Sequence, residues 1–598
     1  MTIREGSVVI VSSVVALAAI LGGAFSPGPR VVIGVLLAVA LGWAVAVRRG
    51  QLMSEEWVAL GFVVWGVVSA ALAAAAPLGA RETITVWMVT WGLWLVARRA
   101  LKSNSQAGLL ILTATAVILA LGVVLEAVGL GGLRVGGLLE NPNVTASLLV
   151  VSLPAVFVIE GRQRWRFAVV AVLTLGLMIT GSRAGLLAML AVVAVVLPRG
   201  KVKIVGLLIS GIGVIAVLLW RFVSQPDILA WFRPAIWYAV LRLWVSRPLC
   251  GVGPGGLVDA AGAERLLHAD HVGQRQFLIA YAESSPLAVL VQTGLVGLLI
   301  AILALFIWWR RVPGNHRLSR PMAAALAAMA VMSAFHDMLT MDVVLWWWAL
   351  SIGLMEVGAA SPPAITGHSI SLTSRRAVIG LTFSLVVLWG VVQPAWARWI
   401  WRSGGPDELV AARTMRAEPW LDAPFEWRTR ELLKQSPWSW ETVAEAVAVS
   451  GEAVRVHPGA ARLWSIRGVV HARVVADFGP WPDSVNGARE AFARAVEIEP
   501  HQPWSLLEWA RFERNLGNTN DAVNLVRRAL DEEPHTVRAR LFLARLELDR
   551  GEVEAAREAY DAAVESVRLR TCLDLNAYER ELLGAPAWQF RELAEALR

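Results

Sequence analysis

The chain has 598 residues, of which 56% are hydrophobic and 17% charged, and its mean hydropathy is +0.57. These values exclude an ordinary soluble enzyme and indicate a membrane protein. The formal net charge is +8, but no module of interleaved basic and aromatic residues is visible, so we expect no nucleic-acid partner. The two cysteines, Cys250 and Cys572, form neither a metal-ligand pattern nor a disulfide framework.

Apolar runs fill residues 7–396, and the chain becomes charged beyond them. The first run resembles a retained anchor, because its charged region is weak and a second apolar run follows at once. Thirteen runs are candidates to cross a bilayer, although several are short. They cover residues 7–25, 31–47, 57–76, 83–97, 108–128, 144–159, 167–180, 184–198, 202–221, 286–309, 321–338, 342–357 and 377–397.

The loops between these runs alternate in charge. Seventeen arginines and lysines lie in six loops of one set, whereas the short loops of the opposite set hold four arginines. The positive-inside rule places the first set, and the N-terminus with it, in the cytoplasm. The segments that we then expect outside are the loops at 129–143, 181–183, 222–285 and 338–342 and the tail after Arg398.

The tail carries an internal repeat with a period of 34 residues. Its recurring residues are Ala488, Ala495 and Pro500 in one copy and Ala522, Ala529 and Pro534 in the next. An earlier copy ends at Pro458, 42 residues before Pro500, which predicts an insertion near residues 477–487. Small residues where helices cross and a proline after the second helix resemble tetratricopeptide repeats (TPR). We expect three to four such units and a final helix near 586–598, forming a solenoid that binds a protein partner.

These patterns predict an all-α protein in two parts. Residues 1–402 form a multi-pass membrane helix bundle, which carries a large extracytoplasmic loop at 222–285. Residues 403–598 form an extracytoplasmic TPR-like α-solenoid. No residue cluster in the solenoid has a catalytic pattern, so we expect it to act by surface contact and to be separable from any chemistry.

Two short outer segments hold polar residues. In the first, Asn141 and Asn143 flank a proline and shape a rigid polar mouth beside Arg134, and Asn143 is the expected N-cap of the next helix. In the second, Ser182 and Arg183 stand at the start of a helix. Arg183 is either a snorkelling loop arginine or part of an anion site, in which backbone N–H groups would help to hold a pyrophosphate.

The loop at 222–285 is the longest polar interval within the apolar part. Its residues 228–247 have an apolar face with Arg233 off it, which predicts an amphipathic helix lying on the membrane. The glycine-rich stretch at 251–256 follows no predicted strand and is therefore a turn rather than a dinucleotide site. The two histidines and the aspartate at 268–271 lack a second cluster of ligands, so we predict no metal site.

Glu283 and Ser284 stand where the chain returns to the membrane, at the start of the stretch 282–297. A carboxylate there is either a favourable charge at a helix N-terminus or a general base, and physics alone leaves both open. His336 lies at the end of the next outer helix, where a solvated terminus is the alternative to a functional role.

In their order and spacing, these motifs resemble the O-antigen ligase and polymerase superfamily over roughly residues 100–355. The matching elements are Arg134 with Asn-Pro-Asn, Ser-Arg-Ala-Gly at 182–185, Arg233 with Trp237, Arg-Pro-Leu-x-Gly-x-Gly at 247–253 and the membrane-return motif. In the family, that motif is His, then Asn, Ser or Gln, nine residues and Gly-x-x-Gly. Ser284, Gly294 and Gly297 match it, but Glu283 stands where the family has its histidine, the proposed base.

The resemblance implies a GT-C-like glycosyltransferase of the bacterial cytoplasmic membrane. Such an enzyme transfers or polymerises a glycan from an undecaprenyl-diphosphate (polyprenyl) carrier to a glycan, glycolipid or protein acceptor, with inversion and without a metal or other cofactor. Glu283 would be the base, and Arg183 and Arg233 would hold the diphosphate. The expected substrate-binding residues are Arg134, Asn141, Asn143, Ser182, Trp237, Arg247, Ser284, His271 and His336.

Other functions compete with this interpretation. Ligase and polymerase use the same machinery, and the sequence does not separate them. A non-catalytic membrane anchor could instead present the TPR scaffold to a cell-envelope assembly complex; Glu283 favours that alternative and the retained arginines oppose it. A transporter would show inverted repeats among its spans, and none is visible.

Overall fold

The computed structural model divides the chain into two compact units. Residues 1–256 and 281–400 form the first, which we call the apolar unit, and residues 257–280 and 401–598 form the second, the repeat unit. The residues that the structure describes are 3–22, 26–47, 52–73, 77–130, 134–197, 200–224, 228–267, 272–274, 278–311, 319–358, 374–405, 407–572 and 577–598.

Helices make up most of the apolar unit. The first ten are α1 (Ile3–Ile20), α2 (Pro27–Ala46), α3 (Ser54–Ala73), α4 (Pro77–Ala97), α5 (Lys102–Leu130), α6 (Pro142–Ala155), α7 (Gln163–Ile179), α8 (Arg183–Val196), α9 (Lys201–Ser224) and α10 (Ile228–Ser246). The single turn α11 (Leu257–Ala260) belongs to the repeat unit. The remaining helices are α12 (Ser285–Arg311), α13 (Ser319–Phe335), α14 (Asp342–Gly358), α15 (Ser374–Val387) and, after a π-helical turn, α16 (Gln393–Gly404).

A helix occupies each of the thirteen predicted spans, but fewer are both long and apolar enough to cross a bilayer. Among the described residues, five are long and apolar enough: Pro27–Ala46, Ser54–Ala73, Lys102–Leu130, Ser285–Arg310 and Arg376–Gly404. That is far fewer than thirteen, and some of the other helices end before the apolar run does. The run predicted at 144–159, for example, leaves the α-helix after Ala155. The 14 residues of α6 rise only about 21 Å, whereas a hydrocarbon core is about 30 Å thick.

Local chemistry explains where the helices beside the outer loops begin. The Asn141 side chain accepts hydrogen bonds from the backbone N–H groups of Asn143 (2.9 Å) and Val144 (3.4 Å), and Pro142 occupies the first turn of α6. The predicted N-cap, Asn143, is therefore wrong by two residues, because proline is well suited to the position after the cap. Ser182 caps α8 by accepting from Gly185 N at 3.2 Å.

The core of the apolar unit surrounds α6. Every residue of this helix from Val144 to Ala155 is buried, as expected for a helix that is apolar on all sides. Trp346 and Trp347 of α14 are the largest side chains in the unit that are almost fully inaccessible. Trp347 Nε1 donates to Ser152 Oγ at 3.2 Å, so the indole is packed and also hydrogen-bonded.

The repeat unit consists of helix pairs. Its helices after α16 are α17 (Glu408–Ala417), α18 (Asp422–Lys434), α19 (Trp440–Val456), α20 (Ala461–Phe478), α21 (Pro482–Ile498), α22 (Pro503–Asn515), α23 (Thr519–Glu532), α24 (Val537–Asp549), α25 (Val553–Cys572), α26 (Ala577–Leu582) and α27 (Ala587–Ala596). The recurring alanines, including Ala488, Ala522 and Ala556, are fully buried, which lets the paired helices approach closely. The predicted insertion lengthens both helices of one pair: α20 has 18 residues against 13 in α22, and α21 has 17 against 14 in α23.

The repeat unit also takes in residues 257–280, which the sequence analysis assigned to the loop of the membrane part. Composition does not indicate this assignment, because a loop segment that packs on another unit and one that is exposed to solvent both have a polar composition. Val272, for example, joins the hydrophobic core formed by α24 and α25.

Candidate functional site

Two glycine-containing segments of the apolar unit, the loop after α10 and α12 at Gly294, pack backbone against backbone. We call this contact the interlock. Helix α12 breaks at Gly294, whose φ and ψ are 68° and −173°. The loop after α10 lies against this break: Val252 N donates to Val291 O at 2.8 Å, and Leu295 N donates to Pro248 O at 2.9 Å. A Cβ on Gly294 would lie 2.1 Å from the Leu249 carbonyl oxygen, so only glycine permits this approach.

Helix α3 satisfies the carbonyl groups that the break exposes. Trp65 Nε1 donates to Thr293 O at 2.8 Å, and Ser69 Oγ contacts Gln292 O at 3.0 Å. Ser69 Oγ also lies 2.6 Å from Cys250 O in the facing loop. A broken helix in an apolar environment needs such partners, because unpaired backbone groups there are costly. Contacts from α3 and from the loop after α10 therefore stabilise the break at Gly294.

Glu283 occupies the turn just before α12 and has a left-handed φ of 52°. Its Oε2 lies 3.5 Å from Arg233 Nη2 and 3.7 Å from His336 Nδ1. The Glu283 side chain is 32% exposed, whereas that of His336 is 9% exposed. A left-handed conformation costs a non-glycine residue energy, and such strain concentrates at functional sites. An accessible carboxylate, a guanidinium and an imidazole thus converge here.

Ser285 fixes the position of His336. Its hydroxyl donates to His336 O at 2.9 Å and accepts from Met338 N at 2.9 Å, which joins the end of α13 to the start of α12. Ser284, a predicted substrate contact, is buried, and its carbonyl accepts the hydrogen bond of Ala288 N at 2.8 Å. The observed role of Ser284 is to begin the helix.

A second group of predicted residues surrounds the start of α8. Ser182 Oγ donates to Asn143 Oδ1 at 2.8 Å, and Arg134 N donates to Ile179 O at 3.0 Å. Arg183 is the first residue of α8, at the N-terminal end of the helix dipole. Arg134 has a left-handed φ of 70°. The described residues with this conformation that are not glycine are Arg134, Glu140 and Glu283, all in predicted outer loops.

The other predicted residues have different surroundings. Trp237 lies one turn after Arg233 on α10, and its buried Nε1 has no hydrogen-bond partner among the described residues. Arg247 Nη1 donates to Ala73 O at 2.6 Å, so it ties the loop after α10 to the end of α3. His271 lies outside the described residues. Within the described part of the chain, no group of three or more His, Cys, Asp or Glu side chains could hold a metal ion.

The sequence alone does not reveal the role of Ser285 or the contact between Glu283 and His336. These two residues are 53 positions apart, and no periodic pattern links them. A signal did exist for Ser285, because a serine directly before a proline at a helix start is a common helix-initiating pattern. It gave no indication of the partners of Ser285, His336 and Met338, which follow α13.

The repeat unit has a pocket of its own between α19, α20 and α21. Its volume is about 380 Å³, and its charged or aromatic lining residues are Arg455, Trp464, Arg467 and Glu490. Trp464 Nε1 donates to Pro458 O at 2.9 Å, which holds the indole at the pocket wall. Two arginines beside an indole suit an acidic or aromatic side chain of a partner protein.

Comparisons with known proteins support the repeats. Residues 507–568 match the family model described as Tetratricopeptide repeat, which confirms the repeat prediction for this part of the chain. Repeats of this kind generally mediate protein–protein contacts, so a protein partner is supported. The match covers the repeats alone, and membership of the O-antigen ligase superfamily stays a prediction. No curated protein matches the chain.

Several solved structures resemble parts of the chain. The thermophilic TPR protein TTC0263 of Thermus thermophilus is 17% identical, with 34% of this chain and 91% of that chain covered and a TM-score of 0.25. The MamA protein is 13% identical, with 28% and 84% covered and a TM-score of 0.23. Yeast Tom70 is 13% identical, with 76% and 88% covered and a TM-score of 0.24.

Proposed function

We propose that the apolar unit is a glycosyl-transfer enzyme of the bacterial cytoplasmic membrane that resembles O-antigen ligases and polymerases. Its donor is a glycan on a polyprenyl diphosphate, and its site faces the outside. The observation that carries this proposal is the convergence of Glu283, Arg233 and His336 at the strained turn before α12. The repeat unit recruits a protein partner or acceptor.

Apolar surface supports the membrane location. Large aliphatic side chains on the outside of the unit are more than half exposed, including Val39, Leu72, Leu125, Ile209 and Leu305. A soluble monomer rarely exposes so much apolar surface, whereas lipid would cover it. The helices too short to span alone would be tilted or lie within the bundle.

Ion pairs support the predicted sidedness. Arg98 contacts Glu55 (3.1 Å) and Glu356 (2.7 Å), and all three stand at predicted cytoplasmic ends of runs. At predicted outer ends, Arg398 contacts Glu82 through two hydrogen bonds of 2.5 and 2.6 Å. Partners predicted on the same side thus meet each other.

The proposed reaction is a single displacement. The acceptor hydroxyl gives its proton to Glu283 while its oxygen attacks the anomeric carbon of the donor. The bond from that carbon to the diphosphate breaks, and the electron pair leaves with the diphosphate. Arg233 has five N–H donors, so it can orient Glu283 and also hold diphosphate oxygens; Arg183, at the start of α8, adds a second forked cation. His336, which directly follows α13, supplies the imidazole that the resemblance expects at position 283.

Genetics with matched controls tests this function. A strain that lacks the gene is complemented with the wild type, Glu283→Gln, His336→Ala, Arg233→Lys or Arg183→Ala, and its lipid-linked and transferred glycans are profiled. We expect each variant to accumulate the lipid-linked donor with normal membrane insertion. Glu140→Gln, at another left-handed turn in an outer loop, and Arg242→Lys on α10 are the controls. Normal transfer by both Glu283→Gln and Arg233→Lys would reject the site.

A second function, a non-catalytic anchor that presents the repeats to an envelope assembly complex, is favoured by one observation: the family match lies entirely in the repeats. It predicts an unchanged glycan profile in the deletion strain together with a lost protein complex. The topology is tested with single-cysteine variants in residues 403–598 and an impermeant thiol reagent. Labelling only after lysis would place the repeats in the cytoplasm.

A further inference from the structure

Residues 257–267 and 272–274, which we call the docked segment, follow equivalent turns of successive repeats. Arg265 Nη2 contacts Glu499 Oε2 at 2.9 Å, and Gln274 N donates to Glu533 Oε2 at 2.8 Å. Glu499 and Glu533 are 34 residues apart, which is one repeat, and each follows the second helix of its pair. The segment therefore contacts the carboxylate at the same position in two successive repeats.

The contacts are close and buried. A Cβ on Gly262 would lie 2.7 Å from Glu499 Cγ, and one on Gly273 would lie 2.9 Å from the ring of Tyr578. Val272 is 7% exposed and packs in the core of the last repeats. Glycines at these positions allow the chain to approach the repeats more closely than other residues could.

Glu533 depends on the docked segment for part of its hydrogen bonding. Glu533 is fully buried. Oε2 accepts from Gln274 N, and Oε1 accepts from the hydroxyl of Tyr578 at 2.9 Å. A buried carboxylate is stable only when such donors surround it. Release of the segment would leave Glu533 short of a donor, so docking and repeat stability are coupled.

The docked segment is joined in sequence, on both sides, to residues of the candidate site. Upstream, residues 249–256 end at Leu257 after lying against the break at Gly294. Downstream, eight residues separate Gln274 from Glu283. Ala282, Ser284 and Ser285, which flank Glu283, are buried.

We propose that the repeat unit positions Glu283 by holding the docked segment, with Glu499 and Glu533 as positioning residues. The proposal rests on the proposed function for the meaning of Glu283. It contradicts the expectation that the solenoid is separable from the chemistry, because removal of the solenoid would remove the support of the loop that carries the base. A protein bound to the repeats would then change transfer through this segment.

Hydrogen exchange on the full-length protein in lipid nanodiscs tests the coupling without any substrate. Arg265→Glu and Glu499→Arg, each alone, should speed amide exchange in 257–267 and also in 278–285 by about fivefold or more, because a partly buried ion pair is lost. The double variant restores the pair in reverse and should return both segments to the wild-type rate. Arg494→Glu, which breaks an exposed pair with Glu497 on the same helix α21, is the control and should change neither segment.

Two results would overturn the proposal: faster exchange in 257–267 with an unchanged rate in 278–285, or no change in either segment. The glycan profile of the same variants separates this inference from the proposed function. A deletion strain with a normal profile rejects the transferase but leaves the exchange result to decide the coupling. Normal transfer by the single variants, in a strain that depends on this gene, rejects the positioning role while the transferase stands.

Discussion

The two units hold their polar contacts over different distances along the chain. In the apolar unit, Arg30 pairs with Asp342, 312 residues away, and Trp65 donates to Thr293, 228 residues away. In the repeat unit, Arg489 binds Glu513, 24 residues away. Apart from the docked segment, the polar contacts of the repeat unit join neighbouring helices and repeats. The apolar unit is stabilised by a few contacts between segments that are far apart in the sequence. A single substitution there should therefore destabilise a larger part of the unit.

The two units also differ in how deeply their paired charged side chains are buried. Glu55 and Glu56 are fully buried, and the Arg98 side chain beside them is 5% exposed. Typical pairs of the repeat unit join residues one helical turn apart on the surface, as Arg430 and Glu426 do. Removing one partner of a buried pair leaves an uncompensated charge, whereas a surface pair contributes little.

The largest effect should come from the interlock at Gly294. Gly294→Ala places a Cβ 2.1 Å from Leu249 O at a residue with positive φ. We expect a loss of about 5 kcal/mol or more in the free energy of unfolding, enough to prevent correct insertion. Gly211→Ala, on α9 with nothing within 4 Å of its added Cβ, should be neutral or slightly stabilising. Thermal unfolding in detergent compares the two, and equal melting temperatures would contradict the interlock.

The next prediction compares a buried ion-pair cluster of the apolar unit with an exposed ion pair of the repeat unit. Arg98→Ala leaves Glu55 and Glu356 without their guanidinium partner, and we expect a cost of about 3–5 kcal/mol. Arg430→Ala removes an exposed pair with Glu426 and should cost less than about 1 kcal/mol. Denaturant unfolding of the full chain measures both. A similar small cost for both variants would show that the Arg98 cluster is hydrated.

The two units also differ in how well the sequence predicts them. The repeats were predictable because Ala488, Ala522 and the prolines after them recur at a fixed local period. The number of spans was not, because hydropathy does not show that α6 ends at Ala155. At the site, the glycine at 294 and the carboxylate at 283 were found, but the approach of His336 to Glu283 results from folding over 53 residues.

Within the repeat unit, Glu513 is an exception to weak surface pairing, because its side chain is 4% exposed. Burial raises the pKa of its carboxyl, but hydrogen bonds from Arg489, Asn518 and Trp509 outweigh this and hold the pKa below its usual value. Glu513→Gln removes the charge that these donors face and should cost about 1–3 kcal/mol. Glu497→Gln, in an exposed pair, is the control and should cost less than about 0.5 kcal/mol. Pulse proteolysis at pH 7 measures the stability of both variants. Equal losses of stability would show that Glu513 contributes no more than an exposed pair does.

The smallest predicted effect is a pH dependence confined to the repeat unit. Burial, assisted by the positive charge of Arg467, lowers the pKa of His471 to about 4. Both ring nitrogens are buried without hydrogen-bond partners in the described part of the chain. The unfolded chain binds a proton near pH 6.5, whereas the folded chain does not until near pH 4, so stability falls as the pH drops between these values.

With allowance for solvent screening, this loss corresponds to about 1 kcal/mol, or a melting temperature about 2–4 °C lower at pH 5 than at pH 7. His471→Gln should flatten the dependence without abolishing it, because burial also lowers the pKa of His457 and His535. Limited proteolysis of the repeats in the full chain at both pH values provides the measurement. If wild type and His471→Gln lose the same stability at pH 5, His471 already carries a proton in the folded repeats. The imidazole would then be hydrated through the neighbouring pocket, which would make that pocket wet and open to a polar partner.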